Sequence, residues 1–108
     1  MLLAKNVNFS QINKEGLNIF HIVAGNDDLS ILKLLVNKFK NLNLNLKEYI
    51  DAACFQQHQT PLHLVAKTKA ALIADYLINN LNANKEAKDK KNKTPLAIAA
   101  EYSWLILN

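Results

Sequence analysis

Few residues of this chain could do chemistry. It has one cysteine, Cys54, and three histidines, His21, His58 and His63. Cys54, His58 and His63 fall within ten positions of one another, which raises two kinds of site. A structural zinc ion takes four ligands in a closed tetrahedron, commonly with paired Cys-x-x-Cys ligands, and three scattered candidates leave that shell incomplete. A Cys–His nucleophile requires oxyanion donors and a partner to orient the base, and the sequence supplies no sign of either. Cys54 therefore reads as a small buried hydrophobe. No nucleotide-binding glycine loop or paired carboxylate site is visible, and both glycines are read as turn residues. No catalytic residue, metal or cofactor is expected.

The other chemically distinctive group is cationic. All thirteen basic residues are lysine, giving a formal net charge of +4. Lysine is a hydrated point charge without the planar fork of arginine, so bidentate capture of guanine, phosphate or carboxylate is not available. Lys85, Lys88, Lys90, Lys91 and Lys93 crowd one segment against Glu86 and Asp89. Such a patch suits an acidic partner, but it also suits a solvated hairpin tip, and no stacking aromatics flank it. Nucleic acid is not an expected partner.

What must position these groups is a repeated unit. Gly16-Leu-Asn-Ile-Phe-His-Ile-Val-Ala24, His58-Gln-Thr-Pro-Leu-His-Leu-Val-Ala66 and Asn92-Lys-Thr-Pro-Leu-Ala-Ile-Ala-Ala100 are three versions of one nine-residue stretch. A unit recurring every few dozen residues cannot close its own core and stacks on copies of itself. In the second copy Thr60 is a good N-cap, and Pro61 suits the first helical position. Leu62, Val65 and Ala66 then make an apolar stripe, and small residues near its end let a neighbouring helix approach. After a polar break at Lys67, Thr68 and Lys69, a second helix is expected from about Ala71 to Asn80, with Ile73, Tyr76, Leu77 and Leu81 inward. The first copy replaces threonine, proline and leucine by Asn18, Ile19 and Phe20. Its second helix carries Leu29, Ile31, Leu32, Leu34, Leu35 and Val36, a face wide enough to read as buried between neighbours. The fold class is all-α, built from helix-turn-helix pairs.

These copies resemble ankyrin repeats, whose hallmark is Thr-Pro-Leu-His-x-Ala-Ala in a unit of about 33 residues. The resemblance implies a helical solenoid with short β-hairpin fingers between repeats. By it, Asp89 takes the turn aspartate position. Asn92 and Gly16 take the glycine position, where a left-handed backbone is needed. His21 and His63 become structural, bonding backbone and capping hydroxyl between adjacent repeats. The expected organisation is one ankyrin-repeat domain over 1–108: 1–12 as the tail of a preceding repeat or cap, a repeat at 13–54, a repeat at 55–88 and a truncated repeat at 89–108. The step from Asn18 to Thr60 is 42 residues and from Thr60 to Thr94 is 34, so about nine residues are inserted within 37–57. Lys47-Glu-Tyr-Ile-Asp-Ala-Ala-Cys54 in that insertion could form an extra helical turn. Leu2-Leu3 and Asn6-Val-Asn8 match the end of a preceding repeat, and Trp104-Leu-Ile-Leu107 the start of a following helix, so the chain is expected to be a piece of a longer protein.

The function implied by the resemblance is non-catalytic binding of a protein partner through finger tips and exposed first-helix positions. The implied contacts are Lys14, Glu15, Leu17 and Asn26; Gln56, Gln57, Gln59, Lys67 and Thr68; and Lys90, Lys91, Lys93, Glu101 and Tyr102. Tyr102 and Trp104 also read as an anchor pair for a partner, with packing of Trp104 on residues C-terminal to Asn108 as the simpler account. The alternative is a recognition segment of a larger enzyme whose catalytic domain lies outside the chain. At 108 residues the chain is one domain, able to bury roughly 60 to 68% of its unfolded surface. No apolar run reaches the roughly 18 residues of a membrane span, and no signal peptide is read at the N-terminus. A lone cysteine fits a reducing, cytoplasmic setting. Lys- and Asn-rich proteins with such modules resemble those that intracellular bacteria secrete into host cells, which implies a host protein as partner; the module itself is expected to be monomeric.

Overall fold

The computed structural model describes residues 11–26, 28–68 and 70–101. Six α-helices are formed there: α1 (Ile19–Gly25), α2 (Leu29–Asn41), α3 (Leu46–Ile50), α4 (Pro61–Thr68), α5 (Ala71–Asp75) and α6 (Pro95–Glu101). A π-helical turn, Tyr76–Asn80, continues α5. No strand occurs among the described residues. The termini and their proposed repeat fragments, including Leu2-Leu3, Asn6-Val-Asn8, Tyr102 and Trp104, lie outside the described residues, as do positions 27 and 69.

Each first helix starts where the capping chemistry says it should. Asn18 caps α1, its side-chain oxygen accepting from the backbone N–H of Phe20 and His21, and His21 returns a bond to the Asn18 N–H. The hydroxyls of Thr60 and Thr94 accept from the N–H of His63 and Ala97 at the starts of α4 and α6. A side-chain cap of this kind contributes about 1 kcal/mol. Gly25 is the last helical residue of α1, and the turn itself is made by Asn26.

Packing joins the pairs. α1 packs on α2, α4 on α5, and α4 is flanked by α1 on one side and α6 on the other. Phe20, Leu32, Leu35, Val36, Phe39, Leu62, Val65, Ile73 and Leu77 form one continuous core. Phe39 stands edge-on to both Phe20 and Tyr49, with ring centroids 4.9 Å apart in each pair. A smaller cluster of Ala66, Ile98 and Ala99 joins α4 to α6. Burying a leucine- or valine-sized side chain stabilises by about 1.5 to 3 kcal/mol.

Two details depart from the helical pattern expected of the sequence. Leu34, expected on the inward face of α2, is 53% exposed. Leu32, Leu35, Val36 and Phe39 form the buried stripe, and two residues on from Leu32 the 3.6-residue period has turned Leu34 nearly to the opposite face. The second helix of the second copy does not finish as α: Leu81 N–H bonds back five residues to the Tyr76 carbonyl at 3.2 Å. Such a π-turn widens the helix by one residue, here while keeping Ile73 and Leu77 fully buried.

The insertion forms α3, which Asn45 caps through the Glu48 N–H. Asn18 Nδ2 donates to the Tyr49 carbonyl at 2.9 Å, tying the insertion to the first cap. Asp51 pairs with Lys47 at 2.6 Å and accepts from the Asn84 N–H at 2.9 Å. Lys47 also donates to the Asn82 carbonyl. The extra residues therefore brace the start of the third connector.

Candidate binding surface

The turns before α1 and α6 are each built by a local side chain. Asn13 Oδ1 accepts from the N–H of Glu15 and Leu17, both at 3.0 Å. Asp89 Oδ1 accepts likewise from Lys91 and Lys93, both at 2.9 Å. Each turn is closed by a backbone bond, from Asn13 N–H to the Leu17 carbonyl at 3.0 Å and from Asp89 N–H to the Lys93 carbonyl at 2.9 Å. The left-handed position of each finger turn falls on Gly16 (φ 82°), His58 (φ 56°) and Asn92 (φ 68°), and Asn43 and Asn82 (both φ 57°) are left-handed where the second and third connectors leave their helices. Asparagine tolerates it because its short polar side chain bonds locally. These fingers are tight turns, not paired strands.

Adjacent fingers are bonded to each other. Phe55 N–H donates to the Glu15 carbonyl, and Lys90 N–H to the Gln57 carbonyl, each at 2.9 Å. The histidines make a second set of rungs one layer deeper. His21 Nε2 meets the Gln59 carbonyl and His63 Nε2 the Lys93 carbonyl, both at 2.9 Å. A carbonyl can only accept, so Nε2 carries the proton. Nδ1 is then free to accept the backbone N–H of Asn18 or Thr60, at 3.1 and 3.0 Å. Burial pushes both imidazoles below their usual value, outweighing the stabilising pull of the carbonyls. The rings are neutral struts, occupied on both nitrogens.

A polar cleft of about 180 Å3 opens beside the third finger, lined by Gln57, Gln59, Lys67, Asp89, Lys91, Lys93, Ile98 and Glu101. Gln59 lies at its base. Its amide nitrogen donates to Asp89 Oδ2 at 3.1 Å, and its amide oxygen accepts from Lys67 Nζ at 2.7 Å. Lys93 pairs with Glu101. Burial would raise the Asp89 carboxyl, but the Lys93 and Lys91 N–H groups and the Gln59 amide together hold it below the ordinary carboxylate value.

Six of the fourteen expected contact residues thus converge: Gln57, Gln59, Lys67, Lys91, Lys93 and Glu101. Gln59 is only 5% exposed and holds its neighbours at the base of the cleft. Leu17 is half-buried, while Lys14, Glu15, Gln56 and Lys90 are exposed at the turns. Asn26 and Thr68 are exposed at the ends of α1 and α4, away from the cleft lining. Among the described residues no group of three potential metal ligands forms, so Cys54, His58 and His63 are not assembled into a site. Cys54 is buried, and its sulfur accepts from the Gln59 N–H at 3.4 Å.

Phe55 is a surface residue that the sequence pattern does not single out. It is 61% exposed, with its ring laid over Gly16 on the first finger. It stands three residues before left-handed His58, as Asn13 stands before Gly16 and Asp89 before Asn92, and that register is the available signal.

Three short capped first helices in a row, α1 and α4 each followed by a second helical element and all joined by bonded turns, define a stacked helix-pair architecture. The family model of the ankyrin repeat matches residues 57–90, the segment that contains α4, α5 and the π-turn. The chain is similar to alpha-latrotoxin-Lt1a of Latrodectus tredecimguttatus, 28% identical over 105 residues. It is also similar to alpha-latrotoxin-Lhe1a of Latrodectus hesperus, 27% identical over 105 residues. Each match covers 97% of this chain and 7% of the relative, so the chain spans a small fraction of the length of the relatives it matches. No described helix is long and apolar enough to cross a membrane.

Proposed function

We infer that the chain is a short ankyrin-type solenoid that acts, as a monomer and without catalysis, by binding a protein partner across its fingers and first helices. Ankyrin repeats mediate protein–protein interaction, and the repeat match covers the central helical pair. The observation that carries the reading is the double row of bonds between neighbouring units, finger to finger and histidine to carbonyl. That bracing fixes the exposed tips Lys14, Glu15, Gln56, Gln57, Lys90 and Lys91 on one scaffold, which lowers the ordering cost of association.

Retention of proteins from a eukaryotic lysate tests it. The wild-type chain is expected to retain a reproducible protein that K90E/K91E and E15K variants lose, with all three chains equally folded by circular dichroism. Identical retention by wild type and variants removes the fingers from the contact surface.

A further inference from the structure

Resting on that reading, we propose that the polar cleft between α4, α6 and the third finger is a receptor for an acidic side chain of the partner, seating a carboxylate between Lys67 and Lys91. Three lysines line the cleft against two carboxylates, Asp89 and Glu101. Both carboxylates already have partners within the chain. The oxygens of Asp89 hold the finger turn and the Gln59 amide, and Glu101 is paired with Lys93. Lys67 is different. Its ammonium gives one bond to a neutral amide oxygen, leaving donors of the three it carries for an incoming anion.

The cleft is also set in advance. Asp89 fixes which end of the buried Gln59 amide is nitrogen, and the oxygen at the other end then holds Lys67 at the wall. A cation positioned before binding loses less side-chain entropy on meeting its anion. The volume of about 180 Å3 is several times the roughly 30 Å3 share of one water, enough for a carboxylate and its nearest methylene groups. Lys85, Lys88 and Lys90, on the same connector, extend a positive field that draws an acidic segment toward the cleft.

Fluorescein-labelled hexaglutamate, titrated against the full chain at pH 7.4 and low salt, is the probe, with hexaglutamine and inorganic phosphate as separate arms. Saturable binding of hexaglutamate is expected, weakened about tenfold by K67Q or K91Q, the effect of one charge-assisted hydrogen bond. K40Q, on α2 and outside the cleft, removes the same charge and should change affinity less than about twofold. Equal losses in K67Q and K40Q, no hexaglutamate binding, or hexaglutamine binding as tightly each overturn the proposal. Tighter displacement of the probe by phosphate than by unlabelled hexaglutamate overturns it too, in favour of a phosphate site. If a lysate protein is retained through the fingers but hexaglutamate fails to compete for it, the protein-binding reading stands and the acidic receptor falls.

Discussion

His21 and His63 show how a residue with obvious chemical capacity can be spent on architecture. Each ring is buried, donates from Nε2 to the next unit and accepts at Nδ1 from its own cap. Protonating Nδ1 would end its acceptance of the Asn18 or Thr60 backbone N–H. Burial lowers the folded-state values below 6.5, so the unfolded chain takes up protons first as pH falls. Stability from the two rings is therefore complete above pH 6.5 and lost as pH drops from there through the folded-state values. Asp89 adds a second loss in the same direction, below the ordinary carboxylate value of 3.8. Urea denaturation between pH 8 and pH 5 should show a falling midpoint, and H63A should flatten part of that slope while costing about 1 to 3 kcal/mol at pH 8. An unchanged midpoint across the range would contradict the neutral-strut assignment. The structural role of these histidines was legible from the Thr-Pro-Leu-His motif. The burial of Gln59 was not, because a polar residue beside a cap carries no periodic signal and its place depends on Asp89, thirty residues away.

Among the elements, the fingers depend on one backbone conformation each and on the fit of their neighbours. A Cβ at Gly16 would lie 2.6 Å from Phe55 Cδ1 and 2.8 Å from the Phe55 backbone nitrogen, at a φ of 82°. G16A should therefore destabilise by about 1 to 3 kcal/mol. F55A should recover only part of that in the double variant, since the backbone contact and the φ remain; full recovery would show that the ring alone was responsible. Asn92 already holds φ 68°, so N92G should leave thermal stability within a few degrees of wild type. The starts of α1, α4 and α6 could be read from capping residues and the insertion from the longer step between copies. The π-turn after α5 could not, because an apolar stripe specifies which side chains go inward and not which carbonyl each N–H will choose.

At the scale of the molecule, α4 is the shared wall, and what lies on its two sides decides whether the units behave as one body. Ala66, Ile98 and Ala99 make the apolar contact between α4 and α6. I98A should open a gap in that contact and cost about 2 to 5 kcal/mol, read as a lower urea midpoint with the slope unchanged. A change of slope would signal that α6 melts separately. The repeat was visible in three sequence copies, yet the cleft was visible only in pieces. Lys67 belongs to one unit and Asp89 and Lys93 to the next, and only stacking brings the two sides together. The most direct measurement of that stacking is hydrogen-bond scalar coupling by NMR in isotope-labelled protein at pH 7.5. The account predicts couplings from His21 Nε2 to the Gln59 carbonyl carbon and from His63 Nε2 to the Lys93 carbonyl carbon, with both rings in the Nε2–H form. Rings without those couplings that exchange freely between tautomers would contradict it.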